Sequence, residues 1–183
     1  MIGLSKVVRL NDSGESVHIR PASSADLAAL AEIHDHYVRE SSITFDERVR
    51  STEEREAWMR NYDVKGPYRM LVAEQDGEIL GCAFTSAYRP HTAFRETVEA
   101  SIYLHPSACG RGTGTALYSA LFEILEQEDV HRVVAGIALP NPASVALHKR
   151  LGFRAVGVFD EYAIKNGHRV SSIWMEKAMD GAW

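Results

Sequence analysis

The chain has 183 residues, enough for one domain with one core and short of what two full domains need. Apolar residues make up 45% and charged ones 25%, which excludes a disordered, collagenous or coiled-coil chain. A net charge of −5, from 20 Lys+Arg against 25 Asp+Glu, leaves no global basic field for a nucleic-acid backbone or an anionic membrane, so neither is an expected partner.

Residues 1–16 show no sustained period and close on Asn11-Asp12-Ser13-Gly14, so a flexible lead-in or a loosely attached strand is expected there. The single domain is expected over 17–178, with a short tail over 179–183. This N-terminus lacks the apolar segment of a signal peptide, and the longest apolar runs are strand-sized, far short of a membrane span. Cys82 and Cys109 stand in neither metal-ligand nor disulfide spacing, which suits a reducing cytoplasm.

Val17 to Pro21 alternates and stops at a proline, as a short strand does. Ser23 to Asp26 reads as a capping box, followed by a helix with Leu27, Leu30, Ile33 and Tyr37 on one face, to about Glu40. A second box, Ser51 to Glu54, opens a helix to about Asn61. After Gly66-Pro67 the pattern turns to strands. Met70 to Ala73 leads through Asp76-Gly77, the type I′ hairpin dipeptide, into Ile79 to Phe84. A polar and aromatic connection, Tyr88 to Arg95, precedes a third strand, Val98 to Leu104. A glycine-rich turn at Gly110 to Gly114 opens a helix carrying Leu117, Leu121, Ile124 and Leu125. Val133 to Leu139 fits a doubly buried strand. Asn141-Pro142 and Gly152 punctuate a compact helix over 141–151. Ala155 to Tyr162 and Val170 to Lys177 are the last strands, around Asn166-Gly167. An antiparallel meander that turns into a βαβ crossover implies a mixed sheet with helices on both faces.

The turn Pro106 to Gly114 lies between a strand and a helix, where backbone N–H groups converge on an anion, and Arg111 adds a charge beside it. A plain glycine loop would look the same. A dinucleotide fold places such a motif on its first strand, with an acidic residue ending the next. Here the motif is mid-chain and the next strand ends at Leu139-Pro140, which weakens a nicotinamide or flavin reading.

With these residues in view, the sequence resembles the GNAT superfamily of acyl-CoA-dependent N-acyltransferases. That family's turn reads Gln/Arg-x-x-Gly-x-Gly/Ala; residues 109–114 match it except at Cys109, which puts a side-chain contact in doubt and spares the backbone cradle. Its second motif, a strand, Asn, a short helix and Leu-Gly-Phe, is matched by Ile137 to Asn141 and by Leu151-Gly152-Phe153. The likeness narrows to the branch of phosphinothricin and methionine sulfone or sulfoximine acetyltransferases. It rests on Ile19 to Ala22, Ser42 to Phe45, Val72 to Gly77, Thr97 to Leu104, Leu139 to Ser144 and Leu147-His148. The resemblance implies an α/β (α+β mixed) GNAT fold: a central mixed, mostly antiparallel twisted sheet of about seven strands with helices on both faces. It also implies acetyl-CoA as cosubstrate, with no metal, and direct transfer to the amino group of a small amino-acid-like acceptor.

Acyl transfer to an amine needs a neutral nucleophile, an anchored thioester and a protonated leaving thiol. The resemblance places a functional acid at Glu99, which would deprotonate the ammonium or orient it; a strand glutamate is otherwise a solvated side chain. It places at His148 an imidazole that would protonate the thiolate, against the alternative of a histidine packed on the core. The backbone of Ile102, Tyr103 and Leu104 would pair with the pantetheine arm. Gly110, Arg111, Gly112, Thr113, Gly114 and Thr115 would hold the pyrophosphate. Asn141 would reach the pantetheine and Arg150 the outer phosphates, or Arg150 is a surface charge. Phe45, Arg89, Pro90 and His91, with Glu99, Ala100 and Ser101, would form the acceptor pocket, Arg89 clamping a carboxylate or phosphinate as only a planar guanidinium can. His34 and His36, two apart on a helix, face different ways and make no metal pair. Other readings are a protein N-terminal or other small-amine acetyltransferase, and an inactive acyl-CoA-binding module. A homodimer is the assembly expected beyond the monomer.

Overall fold

A computed structural model describes residues 5–10 and 14–179 of the chain. The strands are β1 (Lys6–Arg9), β2 (Ser16–Pro21), β3 (Met70–Gln75), β4 (Glu78–Ala87), β5 (Thr97–Leu104), β6 (Arg132–Ala138), β7 (Arg154–Lys165) and β8 (His168–Ala178). The helices are α1 (Leu27–Glu40), α2 (Thr52–Met59), α3 (Thr113–Leu125) and α4 (Pro142–Arg150). The strands form one sheet in the order β1-β2-β3-β4-β5-β6-β8-β7. Among the described residues β5 and β6 pair in parallel, through the α3 crossover, and every other neighbouring pair is antiparallel.

The sheet has eight strands among the described residues where seven were expected, because Lys6–Arg9 pairs with β2 from Lys6↔Ile19 to Arg9↔Ser16. The strand alternative for the lead-in therefore holds for these residues, and ordered structure begins before Val17. Four residues, of which Val7 is 71% exposed, carry too little pattern to be read as an element. Residues 1–4 and 11–13 of the expected lead-in and 180–183 of the expected tail lie outside the described residues.

Alternation along the strands builds a core on each face. Leu71 and Ala73 of β3 and Ala83 of β4 pack with Leu117, Leu121 and Leu125 of α3 on one side. Met70, Val72, Cys82 and Phe84 pack with Leu30 of α1 and Trp58 of α2 on the other. Full burial of each such leucine is worth roughly 1.5–3 kcal/mol. Both capping boxes form, at Ser23 and Asp26 and at Ser51 and Glu54. Asp26 also takes a bidentate contact from Arg20, at 2.7 and 2.8 Å, which ties the start of α1 to the sheet. At the hairpin, Asp76 and Gly77 both have positive φ, +53° and +85°, as a type I′ turn requires.

β5 and β6 pair only from Thr97↔Arg132 to Glu99↔Val134. Beyond Glu99, β5 runs on beside β4 to Leu104, while β6 runs on beside β8 to Ala138. The sheet therefore opens between its two middle strands, and the candidate site lies at that opening.

Candidate active site

One cavity of about 440 Å3 fills the opening. Ala100 to Leu104 line it from β5, Ala135 to Ala138 from β6, Gly110, Gly112, Gly114, Thr115 and Tyr118 from the turn and α3, and Asn141, Ser144, Leu147, His148 and Arg150 from α4. Its floor is strand edge and its far end is the start of α3. The turn carries Gly110 at φ +76° and Gly112 at φ +95°, left-handed positions that an L side chain strains to adopt. At Gly114 the reason for glycine is space: a Cβ there would lie 3.1 Å from Leu147 Cδ2. An exposed strand edge, a helix N-terminus and a tight glycine turn fit an extended amide-bearing chain that ends in phosphates. Acetyl-CoA has that chemistry and supplies the activated acetyl thioester; Ile102, Tyr103, Leu104, the glycine turn and Arg150 at the rim would hold it.

Two side chains of the turn lie off the cavity wall. Arg111 pairs with Glu15 and is not among the cavity-lining residues. Thr113 is fully buried with no hydrogen-bond partner for Oγ1 among the described residues, and it too is off the cavity wall. Asn141 caps α4, its Oδ1 accepting from Ser144 N at 3.1 Å, as the preferred N-cap residue before Pro142 should. Tyr37 of α1 reaches across and donates to the Leu104 carbonyl at 2.6 Å.

His148 is 2% exposed and its ring is held on both sides. Nδ1 lies 2.8 Å from the Ser144 carbonyl and Nε2 lies 3.3 Å from the Tyr118 hydroxyl. Burial pushes the imidazole below its ordinary pKa, opposed by the hydrogen bond to Ser144, so the ring is neutral near pH 7.

A second cavity, of about 460 Å3, opens on the other side of the same strands. Glu99 and Arg89 line it, with Phe45, Tyr88, Trp58, Phe84, Tyr162 and Trp174 as aromatic walls. Ile43, Ser101, Tyr103 and Gly136 line both cavities, so the two meet where β5 and β6 part. Burial raises the Glu99 carboxyl above its ordinary range and the positive charge of Arg89 opposes that rise. The Arg89 guanidinium sits 5.0 Å over the Tyr88 ring. Ala100, by contrast, lines the first cavity, and Pro90 and His91 are exposed and line neither.

Four side chains of this region carry no sequence signal of their own. His34 lines the second cavity with Nε2 3.2 Å from Asp46, whereas His36 is exposed, so the two histidines do diverge. Arg50 lines it as well, 2.9 Å from Asp46. Lys165, at the end of β7 and 3% exposed, donates to the carbonyls of Thr44 at 2.7 Å and Tyr37 at 3.4 Å, pinning the loop that carries Ile43 and Phe45. Tyr118, completely buried, is the fourth. Among the described residues no group of three or more His, Cys, Asp or Glu is placed to hold a metal, and no helix is long and apolar enough to cross a membrane.

This splayed sheet with a glycine turn at its mouth is the architecture of an acetyl-CoA-dependent N-acetyltransferase. The acetyltransferase (GNAT) domain profile matches residues 19–174, and the chain belongs to that family. Among its relatives, a phosphinothricin N-acetyltransferase of Streptomyces coelicolor is 44% identical over 165 residues, 89% of this chain and 96% of that protein. An L-methionine sulfoximine/L-methionine sulfone acetyltransferase of Salmonella typhimurium is 35% identical over 162 residues, 88% and 94% of the two chains. The fold superposes on an acetyltransferase from Salmonella typhimurium solved with its cofactor acetyl-CoA, at a TM-score of 0.86 and 34% identity, over 92% of this chain and 97% of that one.

Proposed function

We propose that the protein moves the acetyl group of acetyl-CoA directly onto the amino group of a small amino-acid-like acceptor of the phosphinothricin or methionine sulfone and sulfoximine type. The observation that carries this reading is the meeting of the two cavities at Ser101 and Gly136, with the half-buried carboxyl of Glu99 and the guanidinium of Arg89 together on the wall of the second. Arg89 takes the acceptor's carboxylate or phosphinate, and its planar fork makes the contact bidentate. Glu99 takes a proton from the ammonium, directly or through water; its raised pKa suits it to that exchange. The amine then attacks the thioester carbonyl, the C–S bond breaks with its electron pair on sulfur, the thiolate is protonated from the side of His148 and Tyr118, and the acylated nitrogen loses its extra proton to give the neutral amide. The aromatic walls exclude water and disfavour acceptors longer than the pocket.

A homodimer goes with this reading. β7 forms one edge of the sheet and exposes Val156, Val158, Phe159, Tyr162 and Ile164, and a second copy of the same edge would cover them isologously. Sedimentation of the protein and of a Val158→Lys variant tests it, with loss of the dimer expected. The compartment proposed is the cytoplasm, where Cys82 and Cys109 stay as the free thiols they are here.

The test of the activity is thiol release from acetyl-CoA across amino acids, their sulfones and sulfoximines, phosphinothricin, polyamines and peptides. Amino-acid-like acceptors should dominate. In Arg89→Lys the KM for carboxylate-bearing acceptors should rise by about tenfold, as loss of roughly 1.4 kcal/mol of binding implies, and by less for neutral amines. An equal effect on both would remove the clamp.

A further inference from the structure

Resting on the acetyl-CoA reading above, we infer that Tyr118 of α3, and not His148, is the side chain that meets the leaving sulfur, and that His148 positions it. A backbone carbonyl can only accept a hydrogen bond. Nδ1 of His148, 2.8 Å from the Ser144 carbonyl, therefore carries the ring's proton. A neutral imidazole has one N–H, so Nε2 presents a lone pair, and it points at the Tyr118 hydroxyl 3.3 Å away. The hydroxyl donates and the histidine accepts. His148 thus has no proton facing the cavity: its single N–H is committed to the main chain and its lone pair to the phenol. Burial favours the neutral form of both groups, lowering the imidazole and raising the phenol.

Tyr118 and His148 both line the donor cavity, where Tyr37 and Tyr103 are the other two tyrosines on the wall. Tyr37 is held by the Leu104 carbonyl, and the Tyr103 ring packs against His34, Tyr37 and Phe84. Tyr118 is the phenol whose proton rests on a side-chain nitrogen that can release it. Its ring is fixed by stacking on Phe122, centroids 5.1 Å apart, and by the edge contact with His148 at 5.2 Å. During collapse of the tetrahedral adduct the C–S bonding pair passes to sulfur and sulfur takes the phenolic proton. The acylated nitrogen, still carrying one proton too many, sheds it and the phenolate recovers it. With the first ammonium proton already on Glu99, the products are neutral amide, neutral thiol and one proton for solvent.

Tyr118→Phe keeps the ring stack and removes only the hydroxyl. Its kcat should fall about 10²-fold, within the usual span for a proton donor, while acetyl-CoA binding measured by calorimetry holds. With an acetyl thioester of a more acidic thiol, which leaves without help, the defect should shrink. His148→Phe should show a smaller loss, and adding it to Tyr118→Phe should cost little more, since the two act as one unit. Independently of activity, 15N NMR of the unliganded enzyme should show His148 as the Nδ1–H tautomer, with its Nε2 resonance moving in Tyr118→Phe. A Tyr118→Phe enzyme within twofold of normal kcat, or an Nε2–H tautomer, overturns the inference. Absence of thiol release by the unaltered enzyme with every amine tested overturns the acetyl-transfer reading, and this inference with it.

Discussion

Burial and the guanidinium of Arg89 pull the Glu99 carboxyl in opposite directions, and burial wins. In the role proposed for it, Glu99 would act as a base only when ionised, so a raised pKa should move the acid limb of the kcat/KM profile to higher pH than an ordinary glutamate would set. Replacing Arg89 by Gln removes the opposing charge, raises the carboxyl further and should carry that limb to still higher pH. Glu99→Gln should lower kcat by about two orders of magnitude, with part of the loss returning at high pH where free amine is abundant. An unchanged profile in Arg89→Gln would show that the limb belongs to another group. Glu99 could be picked out beforehand through the family resemblance, since a strand glutamate taken by itself reads as a solvated side chain. Tyr118 could not, because one turn of Leu117, Tyr118, Leu121 and Phe122 has the spacing of plain core. Its hydroxyl matters only through a residue thirty positions away.

The elements that hold the site differ in how plainly their sequence announces them. α3 and α4 are marked at their ends, by Gly112 and by Asn141-Pro142, and both form where those marks fall. Gly112→Asp tests the first. An acidic residue suits a helix start, so the fold should survive, although the left-handed backbone at φ +95° adds strain of about 1–2 kcal/mol. The new carboxylate would face the pyrophosphate, and calorimetry should show acetyl-CoA affinity reduced by at least about tenfold, roughly 1.4 kcal/mol. The loop after α1 carries no such marks. It is held from a distant strand by Lys165, whose amine burial keeps below the ordinary lysine range against the pull of Asp46 and Glu47. Lys165→Met keeps the stem and strips the donors from the Thr44 carbonyl, a loss of about 1–3 kcal/mol where the acceptor stays buried. The acceptor's KM should rise several-fold while the KM for acetyl-CoA holds. If both rise together, Lys165 supports the whole fold and not the acceptor wall.

For the molecule as a whole, the antiparallel meander, the crossover and the two-sided burial are legible in strand-length patterns and in the order of elements. The swap that puts β8 beside β6 and leaves β7 at the edge is not, because hairpin signals say which strands pair and not which of them faces the rest of the sheet. The parting of β5 from β6 leaves no mark in the residue pattern, since Thr97 to Ser101 alternate as in any half-buried strand; only the family resemblance, which sets Ile102 to Leu104 against the pantetheine arm, points to a free edge there. It has a thermodynamic consequence. From Ala100 to Leu104 the side of β5 turned away from β4 has no ladder neighbour among the described residues, and on the proposed reading acetyl-CoA would complete this unfinished sheet. Folding and binding are then linked: at a hundred times its dissociation constant, acetyl-CoA should add about 2.7 kcal/mol to the unfolding free energy. For a chain of this size that is a rise in Tm of about 5–10 °C. Amide exchange should slow along Ala100 to Leu104 and leave the β1–β2 edge unchanged. A saturating ligand that shifted neither would mean it docks without touching the strand.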